Sequence, residues 1–399
     1  MQEIVERLGA SDAAADIART LLLPYLNHAA TMYESGYATH DDIDAAMRFG
    51  CGYPIGPLAL IDALGPQTVA TGLEKLYAET GDELHQPVSI LTQMAADSTT
   101  FAQAVGDDEV DQPQLRHEIE TVGVVGTGTM ASGIVEVFAK AGYDVVYVGR
   151  SADKLDGVQA SITKSLDKAI SRGKLDEDGK SAVLRRLSGS TEREALAGAD
   201  IIVEAIAEDL EIKLELFRDL DRIAKPGAIL ATTTSSLSIT ACAAVTSRPQ
   251  DVIGMHFFNP APVMKLVEVV TADDTSVEVD ETVRALCLAT GKHPVSCGDR
   301  AGFIVNALLF PYLNDAIKML DAHYATADDI DIAMKQGCAL PMGPFELLDV
   351  VGLDVSLAIE RELYLEFRER GYAPAPLLEH LVTAGYLGRK TGRGFRTYP

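Results

Sequence analysis

The sequence has few positively charged residues. Lys and Arg together number 34 against 59 Asp and Glu, which gives a formal net charge of −25. Nucleic-acid binding needs clustered basic side chains to neutralise phosphates, and docking to an anionic membrane needs a basic surface. The composition therefore argues against nucleic acid and against a membrane as partners, and it is typical of a negatively charged, hydrated surface.

Cysteines and long apolar runs are also scarce. The five cysteines are scattered and form no C-x-x-C motif. An odd, dispersed set in a long chain indicates a reducing compartment rather than a disulfide framework, and no metal site is predicted. No run of about 18 apolar residues exists to span a bilayer, and the acidic residues 1–16 lack the apolar core of a signal peptide. We therefore expect a cytoplasmic protein.

A long internal repeat divides the chain. Residues 21–65 align without a gap on residues 308–352 at a constant offset of 287, and 25 of the 45 pairs are identical. This period is far longer than the roughly 20–50 residues of a solenoid unit. Apolar residues recur at helical spacing in the first copy, with Thr39 as a candidate N-cap. The pattern predicts a duplicated helical domain, with one copy at each end of the chain.

The middle of the chain has a different pattern, in which short apolar strands alternate with helices. Such alternation predicts an α/β fold with a parallel, doubly wound sheet. Residues 151–195 are predicted to be helical. The predicted domains are a helical N-terminal copy (1–105), a polar linker (106–118), a dinucleotide-binding domain (119–297) and a helical C-terminal copy (298–399). The predicted strands lie in segments 121–126, 143–150, 199–206, 227–236, 251–260 and 266–272.

A glycine-rich turn follows the first of these strands. Gly126 and Gly128 begin a G-x-G-x-x-A sequence that continues through Thr129 and Met130 into a helix. The first glycine permits the tight turn, the second lets the backbone approach a pyrophosphate, and the helix N-terminus faces the anion. Because a strand precedes the turn and a helix follows it, the segment predicts a Rossmann-type dinucleotide site.

The end of the second strand lacks the acid that accepts a hydrogen bond from the ribose 2′-hydroxyl of NAD. Gly149-Arg150-Ser151 stands there instead. A carboxylate would repel a 2′-phosphate, whereas an arginine pairs with it. We therefore expect NADP(H) to be favoured, with NAD(H) possible. The alternative is that Arg150 lies on the adenine face of either cofactor.

One histidine stands out as a candidate catalytic base. His256 ends an apolar strand in the segment GMHFFNPAPVMKLVE, twelve residues before Glu268. An imidazole can take the proton of an alcohol as a hydride leaves, and a nearby carboxylate would fix its tautomer. A strand-end histidine with a purely structural role is the alternative.

Seven segments between residue 122 and the end of the chain carry a combined family signature. They are VGVVGTGTMASGI, VEAIAEDLEIKLELF, TTSSLSI, HFFNPAPVMKLVEVV, GFIVNALLFPYLNDA, PMGPFELLDVVGLD and GRKTGRGF. Together they resemble the 3-hydroxyacyl-CoA dehydrogenase family, of the short-chain 3-hydroxybutyryl-CoA type. The resemblance covers roughly residues 119–399, and the N-terminal copy resembles the family's C-terminal domain. It implies interconversion of (S)-3-hydroxyacyl-CoA and 3-oxoacyl-CoA with NAD(P), in fatty-acid or butanoate metabolism.

The resemblance also implies roles for individual residues. His256 would be the catalytic base with Glu268 as its partner, Ser235 would bind the substrate 3-oxygen, and Asn306 would contact substrate or position the cofactor. The residues implied to lie near the cofactor are Glu208, Lys213 and Asn259. Thr233 departs from the family, which commonly has asparagine there. A related dehydrogenase of a non-CoA hydroxy acid and a non-catalytic cofactor-binding regulator remain alternatives.

The two helical copies differ where the chemistry is expected. Subtracting the offset from Asn306 gives Arg19, so the N-terminal copy lacks the implied active-site asparagine. We interpret this copy as a non-catalytic scaffold that packs on the C-terminal copy as a second subunit would, which gives a pseudo-two-fold interface within one chain. The competing hypothesis is that it mediates dimerisation between chains, so monomer and homodimer both remain open.

Overall fold

The computed structural model describes residues 2–104 and 112–398, which fold as two compact units. One unit is helical and combines residues 2–104 with residues 300–398. The other is an α/β unit of residues 112–299. Of the predicted linker 106–118, residues 106–111 lie outside the described part, and residues 112–118 contain no helix or strand.

Five helices of the helical unit occur in both copies, at equivalent positions. Thr39 is the N-cap of its third helix, as predicted, and its Oγ1 accepts a hydrogen bond from Asp42 N–H at 3.2 Å. The N-terminal helices are α1 (Gln2–Gly9), α2 (Ala13–Glu34), α3 (His40–Gly50), α4 (Pro57–Leu64), α5 (Pro66–Thr80), α6 (Ser89–Asp97) and α7 (Phe101–Ala104). The C-terminal helices of this unit, numbered after those of the α/β unit, are α14 (Val305–Asp321), α15 (Ala327–Ile332), α16 (Pro344–Val351), α17 (Leu353–Phe367) and α18 (Pro376–Thr383). Adding the offset of 287 to the bounds of α4 and α5 gives those of α16 and α17.

Residues identical in both copies hold each copy together. The buried Asp44 carboxylate accepts hydrogen bonds from the first amides of α4, at Leu58 and Ala59. Its equivalent Asp331 does the same for the first amides of α16. A side chain on Gly56 would place its Cβ 2.1 Å from Asp44 Cγ, which explains why this position needs glycine. A carboxylate at a helix N-terminus satisfies its free N–H groups and complements its dipole.

The two copies pack directly on each other along α2 and α14. Tyr25 and Tyr312 occupy equivalent positions, and their ring centroids are 6.2 Å apart. Leu84 and Gly371 are also equivalent, and a Cβ on Gly371 would lie 1.9 Å from Leu84 Cδ1. A residue that contacts its own equivalent lies on a local two-fold axis, as in the isologous interface of a dimer.

The α/β unit contains one eight-stranded sheet in the order β3-β2-β1-β4-β5-β6-β7-β8. Its strands are β1 (Thr121–Val125), β2 (Asp144–Val148), β3 (Leu187–Ser190), β4 (Ile201–Glu204), β5 (Ile229–Thr232), β6 (Val252–Phe257), β7 (Leu266–Thr271) and β8 (His293–Gly298). Its helices are α8 (Thr129–Lys140), α9 (Ala152–Ser171), α10 (Glu177–Arg185), α11 (Leu210–Ile223), α12 (Ile239–Ala244) and α13 (Val277–Ala289). The first six strands have the order of a dinucleotide-binding sheet.

The structure corrects the prediction at three places. Residues 151–195 are not helical throughout, because β3 pairs in parallel with β2 at the sheet edge. Its sequence LSGS does not alternate apolar and polar residues, so the sequence pattern did not predict a strand there. The sheet is not entirely parallel either, since β6 and β7 pair antiparallel. The last strand, β8, begins with His293-Pro294 and was also not predicted from the sequence. Within the described residues, no helix has the length and apolar character needed to cross a bilayer.

Candidate active site

The proposed catalytic pair is formed by two adjacent strands. In the antiparallel register of β6 and β7, His256 lies directly opposite Glu268. Facing side chains of paired strands lie close together, and here His256 Nδ1 is 2.7 Å from Glu268 Oε2. His256 is 6% exposed and Glu268 is fully buried. The Glu268 carboxylate thus fixes the orientation of the imidazole ring, so that Nε2 is the nitrogen that could transfer a proton.

Ser235 completes a line of three side chains. It follows β5, and its Oγ is 3.0 Å from His256 Nε2. Glu208, after β4, fixes this segment by accepting hydrogen bonds from Ser235 N–H at 2.8 Å and from the Thr234 hydroxyl at 2.6 Å. The structure therefore brings together four residues that the resemblance implied at the site, at the carboxyl edge of the sheet, where open α/β sheets bind ligands.

Lys213 also lies here, and it is buried rather than an exposed charge on the surface of α11. Its ammonium lies 2.7 Å from each oxygen of Glu204 and 3.4 Å from Glu208 Oε2, and its side chain is 1% exposed. Glu204 accepts a further hydrogen bond from the Thr232 hydroxyl at 2.6 Å. Lys213 thus joins a buried polar network beneath the segment that holds Ser235, and its contact with a cofactor stays a prediction.

Glu204 is the residue that the sequence interpretation missed. It ends β4 within the apolar run ADIIVEAI and is fully buried. A carboxylate at such a position is rarely buried without a charged partner. The sequence feature that could have indicated this buried pair is the position of Lys213, nine residues later on the following helix.

The glycine-rich turn has the geometry that a dinucleotide requires. Gly126 has a φ of +138°, and a Cβ there would lie 2.3 Å from the carbonyl oxygen of Ala205. Gly128 is the N-cap of α8, and no atom lies within 4 Å of where its Cβ would be. No side chain caps the helix, so its N-terminal turn, with Thr129 and Met130, offers amides to an anion. These residues fit a pyrophosphate.

For the remaining predicted site residues, the structure gives a position in the fold and an exposure. Arg150 is exposed and lies two residues after the end of β2, beside the N-terminus of α9. Asn259 is exposed just beyond β6, and its peptide bond to Pro260 is cis. Asn306 is the second residue of α14 and is 8% exposed. It belongs to the helical unit, and its role at the site stays a prediction.

Comparison with known families decides which chemistry this arrangement serves. A model of the 3-hydroxyacyl-CoA dehydrogenase NAD-binding domain matches residues 121–300. A model of the 3-hydroxyacyl-CoA dehydrogenase C-terminal domain matches twice, at residues 17–107 and 302–398. The chain belongs to the 3-hydroxyacyl-CoA dehydrogenase family. The resemblance drawn from the sequence motifs is thereby confirmed, as is the Rossmann-type fold.

Individual family members are similar over most of their length. The 3-hydroxybutyryl-CoA dehydrogenase of Mycobacterium tuberculosis is 44% identical over 284 residues, which is 70% of this chain and 99% of the relative. That of Clostridioides difficile is 45% identical over 277 residues, covering 69% of this chain and 99% of the relative. The crystal structure of (S)-3-hydroxybutyryl-CoA dehydrogenase from Ralstonia eutropha superposes with a TM-score of 0.70 and 44% identity, over 71% of this chain and all of that one.

Proposed function

We propose that the protein interconverts (S)-3-hydroxyacyl-CoA and 3-oxoacyl-CoA with short acyl chains. The observation that carries this proposal is the alignment of Glu268, His256 and Ser235, whose linking distances are 2.7 Å and 3.0 Å. A serine–histidine–carboxylate line also occurs in hydrolases. Here the dinucleotide turn at Gly126 lies at the same edge of the sheet, which favours hydride transfer.

In the proposed reaction, His256, Glu268 and Ser235 have different roles in the proton transfer. In the oxidative direction, His256 Nε2 accepts the proton of the substrate 3-hydroxyl, and Glu268 stabilises the imidazolium that forms. The Ser235 hydroxyl donates a hydrogen bond to the 3-oxygen as it becomes a carbonyl. When bound, the nicotinamide cofactor supplies the acceptor for the hydride. Asn306 would contact the acyl-CoA or help to position the cofactor.

The cofactor is a nicotinamide dinucleotide, and we propose that the phosphorylated form is favoured. The supporting observation is that Arg150, and no acid, follows β2 beside the N-terminus of α9. Both the guanidinium and the helix terminus attract a 2′-phosphate.

The N-terminal helical copy is proposed to take the place of a partner subunit. Its support is the local two-fold contact of Tyr25 with Tyr312, together with Arg19 at the position equivalent to Asn306. One active site per chain is then expected. Dimerisation of whole chains through this copy is the alternative.

The decisive experiment measures nicotinamide absorbance with acetoacetyl-CoA, with longer 3-oxoacyl-CoA esters and with free 3-oxo acids. Turnover of the short CoA ester with either cofactor supports the proposed reaction. Turnover confined to free acids would identify a non-CoA dehydrogenase. Cofactor binding without turnover of any of them would identify a regulator.

A further inference from the structure

Glu204 is a buried carboxylate to which neither the family resemblance nor the proposed proton transfer gives a role. It ends β4 and is not exposed at all. Its Oε1 accepts hydrogen bonds from Lys213 Nζ and Ile206 N–H, each at 2.7 Å, and its Oε2 accepts them from Lys213 Nζ at 2.7 Å and Thr232 Oγ1 at 2.6 Å. A carboxylate has about four lone-pair sites, so all of them are used. Because apolar replacement of a buried ion pair is often neutral or stabilising, stability alone does not explain this pair.

The Lys213 ammonium lies between two carboxylates. It is 2.7 Å from both oxygens of Glu204 and 3.4 Å from Glu208 Oε2. Charge-assisted N–H···O bonds are strongest at about 2.7–2.9 Å, so Glu204 holds the ammonium more tightly than Glu208 does. The position of the ammonium is therefore set by Glu204, and the Glu208 carboxylate keeps its capacity for other hydrogen bonds.

Glu208 uses that capacity to fix the segment between β5 and α12, which carries Ser235. Its Oε1 accepts hydrogen bonds from the Thr234 hydroxyl at 2.6 Å and from Ser235 N–H at 2.8 Å. This segment belongs to no helix or strand, so these side-chain contacts help to set where Ser235 lies. The Ser235 Oγ in turn reaches His256 Nε2 at 3.0 Å. A continuous set of contacts thus connects Glu204 to the base of the proposed reaction.

The two carboxylates compete for one ammonium. Within residues 112–299, Glu208 is the other carboxylate within 4 Å of Lys213 Nζ. Without the charge of Glu204, the attraction between Lys213 and Glu208 would increase, and it is strong where water is excluded. Lys213 would then draw Glu208 away from its contact with Ser235 N–H. The serine hydroxyl would lose its place beside His256 Nε2.

We propose that Glu204 is a positioning residue for the reaction. It holds the Lys213 ammonium so that Glu208 stays bound to Ser235 N–H, which keeps the serine hydroxyl against His256 Nε2. Glu204 acts through Lys213 and Glu208 rather than on the substrate. The inference rests on the proposed function, because that function gives Ser235 and His256 their parts in turnover.

The first test is steady-state reduction of acetoacetyl-CoA by Glu204→Gln, which keeps the shape of the side chain and removes its charge. We expect kcat to fall about 10–100-fold, since displacement of a catalytic group by about 1 Å costs on the order of 10²-fold. KM for the acyl-CoA should change by less than about twofold, because the contacts that bind the rest of the substrate are kept. Asp221→Asn is the control, since it breaks the ion pair with Arg248 at the other end of α11 and should leave kcat unchanged.

A Ser235→Ala background separates positioning from a general loss of order. If Glu204 acts through Ser235, Glu204→Gln/Ser235→Ala should turn over no more slowly than Ser235→Ala alone. Losses that multiply would overturn the proposal, and so would a normal kcat in Glu204→Gln. Glu204→Asp keeps the charge on a side chain one methylene shorter and covers the case in which Glu204→Gln does not fold. Its kcat should fall about threefold to tenfold, and this loss should also vanish in the Ser235→Ala background.

A crystal structure of Glu204→Gln, or of Glu204→Asp in its place, gives a measurement that does not depend on turnover. The distance from Ser235 Oγ to His256 Nε2 should exceed about 3.5 Å, beyond a hydrogen bond. A distance that stays at 3.0 Å would overturn the proposal. Failure of the unaltered chain to reduce acetoacetyl-CoA would instead contradict the proposed function, and this distance would still decide whether Glu204 positions Ser235.

Discussion

The Lys213 ammonium lies 2.7 Å from both carboxylate oxygens of Glu204, with the lysine side chain 1% exposed and that of the glutamate not exposed at all. Removing one partner of a buried pair leaves the other charge unpaired, which costs about 3–5 kcal/mol. Lys213→Met should therefore lower the free energy of unfolding by that amount, as measured by urea denaturation.

Lys75 provides the control for this prediction. Its ammonium lies 3.9 Å from Glu79, and the two side chains are 79% and 58% exposed. Lys75→Met should change stability by less than about 1 kcal/mol, as is usual for exposed pairs. Equal effects of the two substitutions would show that the Lys213 pair is not energetically special.

The catalytic roles assigned to His256 and Glu268 predict that substitution of either residue lowers kcat. His256→Ala should lower kcat by about 10²–10⁴-fold, the usual contribution of general acid–base catalysis. Glu268→Gln keeps the shape but removes the charge that stabilises the imidazolium, so kcat should also fall, with KM for the acyl-CoA little changed. Steady-state kinetics check both. Ser236→Ala, beside the line of catalytic side chains, is the control, and near-normal turnover by His256→Ala would refute the assignment.

Several candidate site residues could be located from the sequence because their motifs coincide with the end of a strand. Gly126 and Gly128 sit in their expected turn because the turn lies between a buried strand and a helix, which the apolar pattern reveals. The pairing of His256 with Glu268 follows from two apolar runs that could be read as strands. Only their antiparallel register, which the sequence does not show, places the two side chains face to face.

Other features depend on contacts between distant segments and could not be predicted. Strand β3 is defined by pairing with β2, not by its own sequence LSGS. The burial of Glu204 depends on Lys213 of the following helix and Thr232 of the next strand.

Arg150 predicts the cofactor preference. The ratio of kcat/KM for NADPH to that for NADH should exceed about ten, since a charge-assisted pair with phosphate contributes roughly 1.5–3 kcal/mol. Arg150→Asp should reverse the preference by replacing attraction with repulsion of the 2′-phosphate. Arg172→Asp, at the far end of α9, serves as the control. A tenfold or greater preference of the unaltered chain for NADH would contradict the proposal.

Glu360 predicts how stability depends on pH. Burial raises the pKa of its carboxyl from 4.5 to about 8, with Asp315 adding to the rise and Lys318 opposing it. The folded state then holds a proton that the unfolded state releases between these pH values. The stability contributed by this group is therefore complete below pH 4.5 and is lost as pH rises through about 8, by on the order of 5 kcal/mol.

Replacing Glu360 by the residue found at the equivalent position of the N-terminal copy tests whether Glu360 causes this pH dependence of stability. The position equivalent to Glu360 is the buried Leu73. Glu360→Leu should remove the decline between pH 5 and pH 8, which denaturant unfolding at several pH values would measure. Glu362→Leu, at an exposed position two residues later, should keep the decline. A decline that persists in Glu360→Leu would assign it to other groups.

The local two-fold between the helical copies predicts the mass of the protein in solution. Tyr25 and Tyr312 are each 3% exposed, so the surface along α2 and α14 is already buried within one chain. A second chain cannot use the same surface without displacing the first copy. Light scattering should therefore give a mass near 42.6 kDa, unchanged over about a hundredfold dilution, because a monomer has no association equilibrium to shift. A mass of two chains that falls on dilution would show instead that whole chains associate, as the alternative hypothesis requires.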